Sequence, residues 1–184
     1  MGVFICSWYY GRMSLYSVTT TTPVGDFHMI FERKIDGKNN SADIVCASGF
    51  GDLQILHSRL PKDLQQDQIE SLKSHPYQKN IHAYFAGDKK ALKDIPYTEE
   101  GSDFTRKVWF TISTIKYGKT LSYKELAIAA GRASAFRAVG TMCGQNRLIL
   151  LVPCHRVLKS DGSIGEYLYG AAIKEYLLKL EGAL

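Results

Sequence analysis

Apolar positions in the first half of the chain come in short β-rich pieces separated by turn signals. Ser14 to Thr22 is one such piece, Pro23-Val24-Gly25 supplies a turn, Phe27 to Phe31 is a second, and Asp36 to Asn40 is a polar loop. A small sheet is predicted there. Leu64 to Phe85 carries helical spacing broken at His75-Pro76, and Gly87 to Pro96 reads as a charged connector. From Thr98 onward the texture turns helical. Phe104 to Tyr117 sets Val108, Ile112 and Ile115 at helical spacing and stops before Gly118. Ser122-Tyr123-Lys124-Glu125 has the capping-box pattern, which predicts a helix to about Ala130. Gly131 then supplies a sharp turn, and Ser134 is placed to cap a second helix reaching about Cys143. Last, the run Leu148-Ile149-Leu150-Leu151-Val152, ended by Pro153, predicts a buried strand that delivers Cys154 and His155 to a fixed place.

At 184 residues and 45% hydrophobic content, the chain can hold one ordinary domain or two small ones. The change of texture divides it into a supporting α/β part over residues 1–97 and a mainly helical part over 98–184. The fold class expected is α+β. Cys6, Cys46, Cys143 and Cys154 lie far apart without CxxC spacing, which suggests neither a disulfide framework nor a common structural zinc site. The first residues lack a basic segment followed by a long apolar one, and Cys6 stands where a myristoylation signal wants serine or threonine. A soluble intracellular protein in a reducing compartment is expected. His28, His57, His75 and His82 show no ligand spacing with Cys6 or Cys46, so structural or surface roles are expected for them.

The net charge is only +5, yet between Phe104 and Lys159 ten basic side chains stand against Glu125 alone. A local excess of that size attracts a phosphate backbone, and it also suits a solvated surface that binds nothing in particular. Two short helices around a glycine inside this segment favour a helix-turn-helix. The second of them, Ser134 to Met142, has no asparagine or glutamine and a single basic residue, Arg137, which is poor equipment for reading bases in the major groove. Its small residues allow a close approach to a groove, and one arginine can enter a duplex or fill a vacated base position. Arg137 as a phosphate contact or surface residue is the plainer reading. Cys154 is similarly open: a thiolate beside an imidazole is a nucleophile, whereas a free cysteine is commonly a small buried hydrophobe.

Taken in order, Phe104-Thr105-Arg106, Ser122-Tyr123, Arg137-Ala138-Val139-Gly140, Asn146, Pro153-Cys154-His155-Arg156-Val157 and Lys174 through Glu181-Gly182 form a series. It resembles the O6-alkylguanine-DNA alkyltransferases, also called methylated-DNA–protein-cysteine methyltransferases. The resemblance is strong from Tyr84-Phe85-Ala86-Gly87 to the end, and in the first half rests mainly on Thr22-Pro23-Val24-Gly25. It implies a ribonuclease H-like first domain and a winged-helix-like second one. It further implies a monomer that binds double-stranded DNA through the minor groove, rotates out O6-alkylguanine (and also O4-methylthymine), and moves the alkyl group irreversibly to Cys154. The location implied is cytoplasmic, or nuclear in a eukaryote.

The same resemblance assigns roles. Cys154 is the acceptor, His155 activates it through a water, Glu181 orients His155, Tyr123 gives a proton to the departing base, and Asn146 ties the helix to the active-site strand. Arg137 replaces the flipped base, with Ser134, Ala138, Tyr123 and Thr105 on the DNA-facing side. Pro153, Val157, Tyr167, Leu168 and Tyr169 line the base pocket. No cofactor is implied, and no metal, because the zinc ligands of the vertebrate first domain have no clear equivalents. Five positions depart from the family pattern. Arg147 stands where proline is frequent, which suggests a looser turn; Phe136 and Met142 suggest a bulkier DNA face; Leu168 and Tyr169 suggest a pocket that takes methyl and resists benzyl. Two competing readings are an alkyltransferase-like lesion-binding protein without transfer, in which tryptophan replaces the cysteine, and a turnover cysteine hydrolase, whose histidine ordinarily comes from a distant segment.

Overall fold

The computed structural model describes residues 14–35 and 41–184. The expectations attached to Met1-Gly2, Cys6 and the Asp36–Asn40 loop lie outside the described residues.

Strands β1 (Leu15–Thr22), β2 (Gly25–Ile35) and β3 (Ser41–Phe50) form an antiparallel meander, and β4 (Ile69–Leu72) adds to β1 in parallel, giving the order β3-β2-β1-β4. The hairpin closes with Thr22 opposite Gly25, whose φ of 109° is open to glycine and strained for other residues. The predicted sheet is present. One expectation fails here: the stretch after Leu64 forms strand β4, not a helix. The spacing of Ile69 and Leu72 suits a helix turn, but both residues sit half-buried at the sheet edge, paired with Leu15 and Val18.

Both sheet faces are covered. Leu15, Ile30, Cys46 and Ala47 pack under the short helix α1 (Leu53–His57) and Leu60. Val18, Phe27, Met29, Phe31 and Val45 face the other way, into a core that continues through helix α2 (Tyr77–Phe85) into the second half of the chain. There α3 (Asp103–Ser113) contributes Val108 and Ile112, α4 (Tyr123–Ala129) Leu126, α5 (Phe136–Gly144) Val139, and α6 (Ala171–Leu180) Leu177. Burial of this apolar surface from both halves supplies the main favourable term in folding. Helix α3 begins at Ser102, whose hydroxyl accepts from the Thr105 amide, and it ends four residues before the predicted Tyr117. Ile115 is buried from the turn that follows.

The capping box of α4 is present in full: the Ser122 hydroxyl accepts from the Glu125 amide at 3.1 Å, and the Ser122 amide donates to Glu125 at 2.7 Å. Gly131 makes the turn at φ 84°. Ser134 does not cap the next helix. It lies in a 3-10 turn, Ala133–Ala135, and α5 starts at Phe136 with no side-chain cap, because the tighter turn uses the residues that would have placed Ser134 at the helix end. No helix among the described residues is long and apolar enough to cross a membrane.

Candidate active site

The segment before Cys154 is buried as expected, but it is not a strand. Leu148 makes a single parallel bridge to Ser48 of β3, and the chain then turns, with the Val152 amide donating to the Leu148 carbonyl at 2.7 Å. Leu150 takes φ 71°, a region that a branched apolar side chain rarely adopts. Ser48 holds the turn on both sides. Its amide donates to the Arg147 carbonyl at 2.7 Å, its carbonyl accepts from the Ile149 amide at 3.1 Å, and its hydroxyl donates to the Ile149 carbonyl at 2.8 Å. The first-half sheet therefore carries the cysteine-bearing turn. Cys154 to Arg156 form one 3-10 turn, followed by strand β6 (Val157–Leu158), which pairs in parallel with β5 (Leu121–Ser122). That pairing fixes Tyr123, the first residue of α4, relative to Cys154.

Asn146 organises the turn from within. Its side-chain amide donates to the Val152 carbonyl at 2.7 Å and to Cys154 Sγ at 3.1 Å, while its Oδ1 accepts from the Leu148 amide at 2.9 Å. Pro153 is buried beside it. Burial pushes the Cys154 thiol above its ordinary value, and the Asn146 hydrogen bond opposes part of that rise. The thiol is therefore protonated at neutral pH until a base takes its proton.

The adjacent base is His155, fully buried, with Nε2 3.0 Å from Glu181 Oε1. Burial would raise the Glu181 carboxyl, but hydrogen bonds from His155 and Arg156 outweigh it and hold the carboxyl well below the usual range. An ionised carboxylate fixes the tautomer: Nε2 carries the proton and donates, and Nδ1 keeps a free lone pair. Nδ1 is buried with no hydrogen-bond partner among the described residues. Burial also lowers the His155 value, so the ring is neutral at pH 7. Glu181 is shared. Arg156 forks onto it from Nε to Oε2 and from Nη2 to Oε1, both at 2.8 Å, Tyr84 donates to Oε1 at 2.7 Å, and the Gly118 amide donates to Oε2 at 3.3 Å.

Around this centre, burial pushes the Tyr123 phenol up to about 12, and its ring lies beside Gly140 of α5. Lys174 is buried and donates to the Val157 carbonyl at 2.6 Å. Tyr167 and Tyr169 are half-buried with ring centroids 6.1 Å apart, and Leu168 between them is 44% exposed. Tyr169 rests on β3, where its hydroxyl would meet a Cβ at Gly49, and its ring stands edge-on to Phe50 at 5.6 Å. Arg137, Ser134 and Ala138 are exposed together around the start of α5. Thr105 is half-buried, with its hydroxyl 2.9 Å from that of Ser102 in the α3 cap.

Two departures take a different form from the one expected. Arg147 tightens its turn: Nε donates to the Cys46 carbonyl on β3 at 3.1 Å, in addition to the backbone bond with Ser48. Met142 is half-buried against the core, its carbonyl accepting from Trp109 Nε1 at 2.9 Å, so the added bulk on this face belongs to Phe136, which is exposed. Sequence reading missed the functions of Tyr84, Arg156, Lys174 and Arg59. Arg59, from the turn after α1, donates to the carbonyls of Gly144 at 2.9 Å and Asn146 at 3.3 Å. Lys174 had a local signal, a single cation in the apolar stripe of Ile173, Leu177 and Leu178. No group of three or more His, Cys, Asp or Glu suited to a metal occurs among the described residues.

Residues 103–183 match the family model for the 6-O-methylguanine DNA methyltransferase DNA-binding domain. A methylated-DNA–protein-cysteine methyltransferase of Methanosarcina barkeri is 38% identical over 134 residues, 72% of this chain and 84% of that one. The Shigella flexneri protein of the same name is 40% identical over 104 residues, 56% of this chain and 61% of that one. Among solved structures, the Mycobacterium tuberculosis O6-methylguanine methyltransferase superposes with a TM-score of 0.71 at 27% identity, covering 92% of this chain and 93% of that one. The same organism's protein in complex with DNA gives 0.70 at 28% identity, covering 90% and 92%. With 38% identity over most of the length of both chains, the chain belongs to the methylated-DNA–protein-cysteine methyltransferase family.

Proposed function

We propose that the protein repairs alkylated DNA by moving the alkyl group from O6-alkylguanine, and from O4-methylthymine, to Cys154, once per molecule. The observation that carries this is the order Asn146, Cys154, His155, Glu181: a buried thiol beside a neutral imidazole whose far nitrogen is held by an ionised carboxylate. The thiol proton passes to His155 Nδ1 through a water. The sulfur then attacks the alkyl carbon, a C–S bond forms, and the C–O6 bond breaks with its electron pair going to guanine. Tyr123, which burial keeps protonated, donates to the departing base and is reprotonated from the His155 side. Atoms balance as thiol plus alkylguanine giving thioether plus guanine. A thioether has no easy hydrolytic exit, so the protein is consumed.

Recognition follows from the exposed start of α5. Arg137 fills the place of the rotated base, Ser134 and Ala138 approach the minor groove, and Thr105 and Tyr123 flank the opening. The displaced base lies against Pro153, Val157, Tyr167, Leu168 and Tyr169, and the two bulky residues at 168 and 169 favour methyl over benzyl. We assign residues 1–97 as a ribonuclease H-like support and 98–184 as a winged-helix-like DNA-binding and acceptor domain, acting as a monomer in the cytoplasm, or in the nucleus of a eukaryote. A lesion-binding protein without transfer is not favoured, because the acceptor sulfur is present.

Intact mass after incubation with a duplex carrying O6-methylguanine tests this. Wild type gains one methyl and Cys154→Ala gains none; no adduct on wild type rejects the reading.

A further inference from the structure

Glu181 Oε1 accepts from three side chains, and one of them comes from a helix outside the DNA-binding segment. Tyr84 lies in α2, is buried, and donates its hydroxyl to Oε1 at 2.7 Å, the oxygen that also holds His155 Nε2 at 3.0 Å. We propose that Tyr84 is a positioning residue which, by competing with His155 for Glu181 Oε1, sets how firmly the carboxylate retains the imidazole proton and so the pH below which Cys154 stops accepting alkyl groups. This rests on the alkyl-transfer reading above.

Among the described residues, the groups facing Glu181 are Arg156 and His155 from the cysteine-bearing turn, Tyr84 from α2, the Gly118 amide and Tyr117 from the turn after α3, and Tyr167 from the loop before α6, while Lys174 of α6 acts on His155. Tyr117 donates to the Leu180 carbonyl at 3.1 Å, and Lys174 to that of Val157, so neither donates to the carboxylate. Arg156 is charged and forked, and its Nη1 also donates to the Ile115 carbonyl at 2.5 Å, so its removal would disturb the packing as well as the charge. Tyr84 is the neutral donor that can be trimmed by one oxygen. Burial, reinforced by the Glu181 charge, holds its phenol well above the ordinary value, so it remains a donor wherever His155 titrates. Each donor on a carboxylate oxygen withdraws charge from the others. Removing this one strengthens the Glu181–His155 bond, stabilises the imidazolium, and leaves less free base at mildly acidic pH.

The test compares wild type, Tyr84→Phe and a chain carrying 3,5-difluorotyrosine at position 84, in single-turnover methyl transfer from pH 5 to 9. The His155 imidazole is titrated by NMR in each protein without DNA. Tyr84→Phe is expected to move the acid limb of the rate profile and the imidazole titration upward together by about half a pH unit, the size that part of one hydrogen bond supports. Difluorotyrosine, a stronger donor, moves both downward. An imidazole titration unchanged in either folded variant overturns the proposal. If Tyr84→Phe does not fold, the difluorotyrosine chain decides alone. An imidazole that shifts while no protein takes up methyl leaves Tyr84 tuning His155 but rejects the alkyl-transfer reading, and with it the proposed control of acceptance.

Discussion

Asn146 Nδ2 and Cys154 Sγ are 3.1 Å apart, and the same nitrogen donates to the Val152 carbonyl two residues before the sulfur. One amide thus closes the buried turn and points a proton at the thiol. Asn146→Ala is expected to leave the Val152 carbonyl and Leu148 amide without their partners, costing about 2–4 kcal/mol of stability at such a site. Urea unfolding measures this, and methyl transfer should slow in the fraction that remains folded. An unchanged unfolding midpoint would mean the turn holds without Asn146.

Glu181→Gln removes the charge opposite the buried Arg156. Breaking a buried pair from one side costs about 3–5 kcal/mol. The pH dependence has a fixed sign: the carboxyl is held below its ordinary 4.5, so its stabilisation is present above that pH and is lost as pH falls through the lower folded value. The gap in stability between wild type and variant should therefore be flat near neutrality and narrow as pH drops below 4.5, as followed by denaturant unfolding across pH. A gap that fails to narrow below pH 4.5 contradicts the assignment of Glu181 as ionised.

If Tyr169 lines the base pocket as proposed, its contact with Gly49 couples pocket selectivity to the first-half sheet. An added methyl at Gly49 collides with the Tyr169 hydroxyl, which stands 2.0 Å from the Cβ position, so the ring must swing away. Gly49→Ala should change the ratio of rates on free benzylguanine and methylated duplex, and Tyr169→Gly should raise the benzylguanine rate by about tenfold or more, the scale of about 1–3 kcal/mol for pocket contacts. Equal ratios in all three proteins would remove Tyr169 from the pocket.

Arg137 is exposed and makes no ion pair among the described residues, so Arg137→Ala should leave the unfolding midpoint within about 0.5 kcal/mol. Transfer from duplex should fall strongly while transfer from a free alkylated base is unaffected. Equal losses on both substrates would point to a damaged active site instead of a lost flipping residue.

Much of the frame was legible because its signals are local. The Ser122 to Glu125 capping box, the Thr22 to Gly25 hairpin and the glycine turn at Gly131 are each set by residues within three or four positions. What failed was set from a distance. Leu148 to Val152 reads as a strand because every position is apolar, yet hydrogen bonds from Ser48, about a hundred residues earlier, and the unusual φ of Leu150 turn it back on itself. Ile69 and Leu72 read as helix until β1 claims them as an edge strand. Cys154 and His155 stood out because an apolar run ended by Pro153 delivers them, while Asn146 and Glu181 were candidates only through the family resemblance. Tyr84 was not distinguishable as a site residue, since a buried tyrosine near a helix end looks the same whether its hydroxyl meets a carboxylate 97 residues away or not.

The most direct test of the central claim is a titration of the protein with excess methylated duplex, followed by peptide mass mapping. The expected result is a plateau at one methyl per chain, all of it on the peptide containing Cys154, with no further repair on longer incubation. Repair continuing past one equivalent, or a methyl on any other residue, would contradict a single-use acceptor at Cys154.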